Sequence, residues 1–287
     1  MVTFGEKAET VCRAACIVGE SPVWDARTQS LRMIDVHGQR VRTIDWATRA
    51  VRDVVLDDRP GSVVLAGDGR LVVLAGKSVL ALGDDGMPRT LFPDLPLKGL
   101  RFNDLKVGPD GWLWGGTFTT AGGGAAYRVS PRGEVRELFD GVGNSNGIEW
   151  DSDRHFFYHV DTPKGTVCRY AYDPEDFTLR DRRLIRAFAP REGFPDGMTR
   201  DAEGCLWVAL WGAGRVVRLD PETGDELAEV RLPVSQPACP VFAGDALDIL
   251  AVTTAAHAVN MREEPLAGSV FAVPVGVGGL PARRFGI

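Results

Sequence analysis

Four side chains with oxygen donors, each at the start of a short apolar segment, have the clearest potential for chemistry in this sequence. They are two carboxylates, Glu20 and Asp196, and two amides, Asn103 and Asn146. If the fold brings them to one point, such polar groups are costly away from water, and a divalent cation offsets that cost. Oxygen ligands without His or Cys favour Ca²⁺, Mg²⁺ or Mn²⁺, and they leave Zn²⁺ or Fe²⁺ open.

A repeat along the chain places these side chains in one register. Glu20, Gly61, Asn103, Asn146 and Asp196 follow one another at spacings of 41, 42, 43 and 50 residues. Each of them opens a segment that continues into a turn and an apolar strand. A fixed period of this length is the mark of a repeat architecture, because each repeat is one structural unit.

The repeat predicts a β-propeller. The apolar segments are short and bounded by Gly, Pro, Asp or Asn, and the 34 glycines and 18 prolines are spread along the whole chain. Four strands in about 40 to 45 residues are typical of a propeller blade, and a sixth, degenerate copy begins near Ala238. We therefore predict an all-β, single domain over residues 1–287, with six four-stranded antiparallel blades. A strand over about residues 10–17 is expected to join the last blade and close the ring.

Equivalent residues of a propeller point to the same place, because the innermost strand of every blade lines the central channel. We therefore expect the four oxygen donors to converge at one mouth of that channel. An alternative stays open, since Asn146-Gly147 and Asp196-Gly197 are also common turn pairs. Arg101 would either reach the same mouth or pair with a carboxylate on the surface.

The composition argues against several classes of function. Lys and Arg number 33 and Asp and Glu 39, a net charge of −6, whereas a nucleic-acid binder needs clustered positive charge. No apolar run reaches the length of a membrane span, so we expect no membrane association. We expect no signal peptide, and five scattered cysteines favour a reducing cytoplasm. The histidines form no ligand pattern, and each is expected in the core or on the surface: His37, His155, His159 and His257.

Four motifs, in order, resemble the SMP-30/gluconolactonase/luciferin-regenerating-enzyme (regucalcin-like) family. They are GESPVW at 19–24, RFND at 101–104, SNG at 145–147 and PDGM at 195–198, and the segment 214–224 also fits. The resemblance runs from about residue 20 to residue 281. It implies a six-bladed propeller that holds one divalent metal through Glu20, Asn146 and Asp196. It also implies that Arg101 and Asn103 contact a sugar-lactone substrate.

The activity that this resemblance implies is metal-dependent hydrolysis of aldono-lactones of the gluconolactone type, a reaction of carbohydrate metabolism. The metal would polarise the lactone carbonyl as a Lewis acid while water adds to the carbonyl carbon. Asp196 would be the general base, and Arg101 and Asn103 would bind the carbonyl oxygen or the sugar hydroxyls.

Three residues depart from the family pattern on the wall that would face the substrate: Leu105, Phe118 and Ala121. If Leu105 and Phe118 filled the mouth, a sugar would not enter it. Two alternatives therefore remain, a propeller esterase or phosphotriesterase with another substrate and a non-catalytic metal-binding propeller.

Overall fold

Six antiparallel β-sheets account for nearly all of the regular structure in a computed structural model that describes residues 2–5, 8–83 and 85–287. Met1, Glu6, Lys7 and Asp84 lie outside the described residues. The N-terminal segment, in which we expect no signal peptide, is therefore described only in part. The all-β, six-bladed propeller predicted from the repeat is confirmed.

The strands are numbered β1 to β26 in chain order, and most blades consist of four consecutive strands. The N-terminal strands are β1 (Val2–Phe4) and β2 (Glu9–Cys12). Blade 1 consists of β3 (Gly19–Asp25), β4 (Ser30–Asp35), β5 (Arg40–Asp45) and β6 (Val51–Val55), and blade 2 of β7 (Pro60–Ala66), β8 (Leu71–Ala75), β9 (Ser78–Leu82) and β10 (Pro88–Phe92). Blade 3 consists of β11 (Arg101–Val107), β12 (Leu113–Phe118), β13 (Gly124–Val129) and β14 (Val135–Val142).

The second half of the chain repeats the arrangement. Blade 4 consists of β15 (Ser145–Asp151), β16 (Phe156–Asp161), β17 (Thr166–Tyr172) and β18 (Leu179–Ala187). Blade 5 consists of β19 (Phe194–Arg200), β20 (Leu206–Trp211), β21 (Arg215–Leu219) and β22 (Glu226–Arg231). Blade 6 contains β23 (Pro237–Ala243), β24 (Ile249–Thr254) and β25 (Val270–Pro274), and the chain ends with β26 (Arg284–Phe285). Two short 3₁₀ helices, Thr162–Lys164 and Pro190–Glu192, lie in loops.

The ends of the chain complete three of the blades. Strand β2 pairs antiparallel with β25 as the fourth strand of blade 6, and it ends at Cys12, short of residue 17. Strand β1 adds to the outer edge of blade 5 in parallel with β22, and β26 adds to the inner edge of blade 2 in parallel with β7. The inner strands contact one another in a closed ring that returns from β23 to β3.

Burial falls from the axis outward, because an inner strand has neighbours on both faces. Every residue of the inner strand β7 is buried, whereas the outer strand β6 is exposed at four of its five residues. Aromatic side chains fill the space between blades: Trp114 meets Trp150 edge to face at 5.9 Å between blades 3 and 4. No helix within the described ranges is long and apolar enough to span a bilayer.

Candidate functional site

A β-bulge interrupts the inner strand of each blade near its first residues, where the repeat register falls. In β3 the pairing shifts between Glu20 and Val23, in β15 between Asn146 and Ile148, and in β19 between Pro195 and Met198. A bulge re-aims the side chains of a strand and is common beside active sites. The Asn-Gly and Asp-Gly pairs therefore lie within strands rather than in hairpin turns.

Glycine allows the inner strands to approach one another closely around the axis. A Cβ on Gly147 would lie 2.6 Å from the backbone oxygen of Asp196, and one on Gly61 would lie 2.4 Å from the backbone oxygen of Phe102. Both contacts are with backbone, which cannot move away as a side chain can. Gly61 thus occupies the shared register without offering a ligand, because its role there is close packing.

One cavity of about 330 Å³ at a mouth of the central channel receives all five residues singled out from the sequence. Blade 1 supplies Glu20, blade 3 supplies Arg101 and Asn103, blade 4 supplies Asn146 and blade 5 supplies Asp196. The fold therefore brings together side chains that are up to 176 positions apart in the chain, from residue 20 to residue 196.

A chain of hydrogen bonds crosses three blades and fixes the two amides. Arg101 Nη1 donates to Asn103 Oδ1 at 2.8 Å, and Asn103 Nδ2 donates to Asn146 Oδ1 at 3.0 Å. Asn146 Nδ2 donates to Thr162 Oγ1 at 2.7 Å, and Thr162 Oγ1 donates to the backbone oxygen of Pro195 at 2.8 Å. Asn146 donates from Nδ2 to Thr162 and accepts at Oδ1 from Asn103, so its Oδ1 atom is held on the side of Asn103.

The two carboxyl groups at the floor of the cavity are in contact with each other. Burial raises the pKa of Glu20 to about 8, and the nearby Asp104 adds to that rise. Burial also raises the pKa of Asp196 well above its usual range, and repulsion from Glu20 and Asp104 adds to the rise. Two like charges confined together in this way favour either a shared proton or a bound cation.

The donor set fits a hard divalent cation. The cavity floor offers two carboxylates and the oxygen of one amide, Glu20, Asp196 and Asn146, without nitrogen or sulfur ligands. Within the described ranges no three His, Cys, Asp or Glu residues form a metal-binding group. Any cation at this floor would therefore depend on the amide oxygen as its third protein ligand.

The wall residues that depart from the family pattern leave the mouth open. Leu105 is fully buried in the core between blades 2 and 3, opposite Gly115, where a Cβ would lie 2.5 Å from the Leu105 Cγ. Phe118 forms part of the cavity wall, and the Arg101 guanidinium carbon lies 4.7 Å from the centre of its ring. Phe194 and Trp211 continue this aromatic wall. Ala121 lies in the exposed loop after β12 and does not contribute to the cavity.

Sequence reasoning missed three polar residues of the cavity, Thr162, Asn144 and His37. Thr162 follows the end of β16 and His37 follows shortly after β4, which is also the position of Phe118 and Trp211 in their blades. In blades 1, 3, 4 and 5 the end of the second strand therefore reaches the same mouth as the start of the first strands. That second register is visible in the repeat and is the signal that would have identified Thr162 and His37, whereas Asn144 directly precedes the first strand β15.

Sequence comparison with known proteins identifies one family for this chain. Residues 18–256 match the family described as the SMP-30/Gluconolactonase/LRE-like region. Regucalcin from Bos taurus is 35% identical over 289 residues, covering 96% of this chain and 97% of regucalcin. The putative sugar lactone lactonase YvrE from Bacillus subtilis is 32% identical over 271 residues, covering 92% of this chain and 93% of YvrE.

Solved structures agree with the fold. A luciferin-regenerating enzyme superposes with a TM-score of 0.89 at 26% identity, covering 98% of this chain and 99% of that enzyme. A calcium-binding protein, regucalcin from Agrobacterium tumefaciens, superposes with a TM-score of 0.92 at 24% identity over 100% of both chains. Because the sequence identity is only 24%, the second comparison supports the fold alone.

Proposed function

This chain belongs to the SMP-30/gluconolactonase/LRE-like family, and from that premise we propose that it is a metal-dependent lactonase that opens sugar lactones. The observation that carries the proposal is the floor of the cavity, where Glu20, Asn146 and Asp196 converge beside Asn103 and Arg101. The name of YvrE, a putative sugar lactone lactonase, supports the same substrate class.

Glu20, Asn146 and Asp196 would hold one divalent cation, whose identity among Ca²⁺, Mg²⁺, Mn²⁺, Zn²⁺ and Fe²⁺ is for experiment to determine. When bound, such a cation supplies Lewis acidity toward the ester carbonyl. The raised pKa values of Glu20 and Asp196 support this role, because burial and mutual repulsion make both carboxylates costly without a positive charge.

The chain's own groups would bind the lactone and move the proton. An Asp196 carboxylate oxygen not engaged by the cation would accept the proton of the attacking water. The Arg101 guanidinium, held by Asn103 Oδ1, would stabilise the negative charge that develops on the carbonyl oxygen, and Asn103 would orient the ring. The aromatic wall of Phe118, Phe194 and Trp211 would cover the apolar face of the ring and exclude water.

The open mouth favours this enzyme over a non-catalytic metal-binding propeller. A space of about 330 Å³ remains beside Phe118 because Leu105 is buried elsewhere. This volume lies at the lower end of the range of roughly 300–1,000 Å³ that is usual for small-molecule sites. A pocket of that size suits a compact substrate such as a single sugar ring.

A hydrolysis assay with a pH indicator tests the proposal on metal-stripped protein, with each cation restored singly and a panel of aldono-lactones, aryl esters and phosphotriesters. We expect metal-dependent opening of at least one lactone above its spontaneous rate. The Asp196→Ala variant should lose turnover, while Asp225→Ala, which removes an exposed carboxylate in a turn of blade 5, should keep it.

Two outcomes would overturn the assignment. Full activity in Asp196→Ala with the metal still bound would remove Asp196 from the reaction. Hydrolysis of aryl esters or phosphotriesters without any lactone turnover would assign the site to the alternative esterase or phosphotriesterase.

A further inference from the structure

Two arginines are neighbours on the blade 2 and blade 3 side of the candidate site. The backbone oxygen of Arg59 accepts a hydrogen bond from Gly76 N at 3.1 Å, and the backbone oxygen of Gly76 accepts one from Phe102 N at 2.8 Å. This ladder sets Arg59, just before β7, beside Arg101, at the start of β11. Burial, together with the charge of Arg59, lowers the pKa of Arg101 to about 10.

These two arginines lack ion-pair partners in the part of the chain that the structure describes. Neither guanidinium forms a salt bridge there, and Arg101 uses only its Nη1 atom, toward Asn103 Oδ1 and the backbone oxygen of Phe102. The Nη2 and Nε atoms of Arg101 therefore keep their hydrogens for a ligand. Arg59 is exposed and lies next to Arg101, outside the residues that line the cavity.

The acidic groups nearby do not balance this charge. Asp58 attracts Arg101, and its Oδ1 accepts the backbone N–H of Arg59 at 2.7 Å. Glu20 and Asp196 at the floor are committed to the cation in the proposed function, and a divalent ion neutralises both. Two guanidinium groups then face one rim carboxylate, and the rim keeps a net positive charge.

His37 extends the polar side of the cavity into blade 1. It is a lining residue, and its ring meets that of His257 from blade 6 edge to face at 5.1 Å. Burial lowers the pKa of His37, and the nearby Arg59 lowers it further, which favours the neutral imidazole. A neutral imidazole both donates and accepts, so it suits a hydroxyl of a sugar acid.

The cavity is therefore divided into two sides. His37 and Arg101 line the side formed by blades 1 and 3, with Arg59 next to Arg101 just outside the lining, whereas Phe194 and Trp211 give an aromatic side on blade 5. A neutral sugar lactone can engage Arg101 through its carbonyl oxygen, but it offers no negative charge to pair with the second guanidinium group, that of Arg59. A lactone with a carboxylate at the far end of the ring does.

We propose that the preferred substrate is an anionic lactone, the monolactone of a sugar diacid, whose free carboxylate binds to Arg59 and Arg101. This inference rests on the proposed lactonase function and specifies its substrate class. Arg101 would then hold both the ring and the carboxylate, and Arg59 would be the residue that selects the charged substrate. Paired guanidinium–carboxylate hydrogen bonds are among the stronger polar contacts, which makes such a selection effective.

The test compares two lactones with the same ring and stereochemistry that differ only in a terminal CH₂OH or carboxylate. We expect the wild-type protein to show a kcat/KM about tenfold higher for the carboxylate form, equivalent to about 1.4 kcal/mol. In Arg59→Gln the ratio of the two kcat/KM values should fall about tenfold through KM, and Arg59→Lys should restore part of it. The wild-type ratio should also shrink as NaCl rises, since charge attraction at an exposed rim is screened.

A matched control and a binding measurement keep the outcomes separate. Arg52→Gln removes an exposed arginine from the outer strand β6 and should leave the ratio unchanged. Calorimetry with the open-chain diacid and monoacid should show tighter, Arg59-dependent binding of the diacid. Turnover of the neutral lactone without preference for the charged one would overturn this inference and leave the lactonase intact. If neither lactone is opened, the proposed function fails, and equal affinity for the two acids would overturn the inference as well.

Discussion

Thr162 is expected to control metal affinity through Asn146 without touching the metal. Its hydroxyl accepts from Asn146 Nδ2 at 2.7 Å and donates to the backbone oxygen of Pro195 at 2.8 Å, which connects blades 4 and 5. Replacement by valine keeps the branched shape and removes both hydrogen bonds. Asn146, 5% exposed, then keeps an amide N–H without a partner.

The size of the effect follows from these two lost contacts. An unpaired buried polar group costs about 1–3 kcal/mol, so we expect Thr162→Val to lose about 2 kcal/mol of unfolding free energy. Freed from Thr162, the Asn146 amide can rotate its oxygen away from Glu20 and Asp196. Loss of a partner that orients a metal ligand typically lowers metal affinity by about 10- to 100-fold, and we expect a loss in that range.

Two measurements on metal-stripped protein check this expectation. Calorimetric titration with Ca²⁺ and Mn²⁺ gives the affinity, and urea unfolding without metal gives the stability. Thr90→Val, on the exposed strand β10, is the matched control and should change neither quantity. Wild-type metal affinity in a destabilised Thr162→Val protein would refute the reasoning, since it would show that Thr162 supports the fold without orienting Asn146.

Two further predictions concern the surroundings of the site. Burial lowers the pKa of His159 to about 4 from its ordinary 6.5. Between pH 6.5 and pH 4 the unfolded chain therefore binds a proton at this histidine and the folded protein does not. Stability is therefore lost as the pH falls from 6.5 toward 4, by about 3 kcal/mol for this group, and urea unfolding of His159→Gln should show a shallower pH dependence over that window. Gly147→Ala would place a Cβ 2.6 Å from the backbone oxygen of Asp196, whereas Gly111→Ala, at φ +73° with nothing within 4 Å, meets only backbone strain. We expect Gly147→Ala to cost more than the roughly 1 kcal/mol of Gly111→Ala, and equal melting temperatures would contradict the close approach of β15 and β19.

The sequence allowed the fold and the floor of the site to be predicted together, because both depend on one repeat. A residue in the shared register of every blade must face the axis, whatever the details of the blade. Glu20, Asn103, Asn146 and Asp196 were therefore placed in one cavity from their spacing alone. Their roles in binding metal and substrate stay predictions.

The remaining features have weak signals in the sequence or none. The parallel pairing of β1 and β26 joins segments from the two ends of the chain, Val2–Phe4 and Arg284–Phe285, which are too short to carry a strand pattern. Thr162 and His37 belong to a second register, at the ends of second strands, where the residue types differ from blade to blade. The inference of a preference for a charged substrate depended on knowing which arginine side chains form no salt bridge among the described residues.

The central channel shows why metal binding and stability should be coupled in this protein. Behind the floor lies Asp104, 4% exposed, with no hydrogen-bond partner for its Oδ2 atom among the described residues, and burial raises its pKa to about 6. Lys106 is the cation that opposes it, and its Nζ donates to Glu149 Oε1 at 2.5 Å and to the backbone oxygen of Met198 at 2.7 Å. Acidic groups along this stretch of the axis thus outnumber basic ones, and their repulsion opposes closure of the ring. A cation at Glu20 and Asp196 would remove that repulsion where the blades meet, so the residues proposed to bind it would also make the folded ring more stable once it is bound.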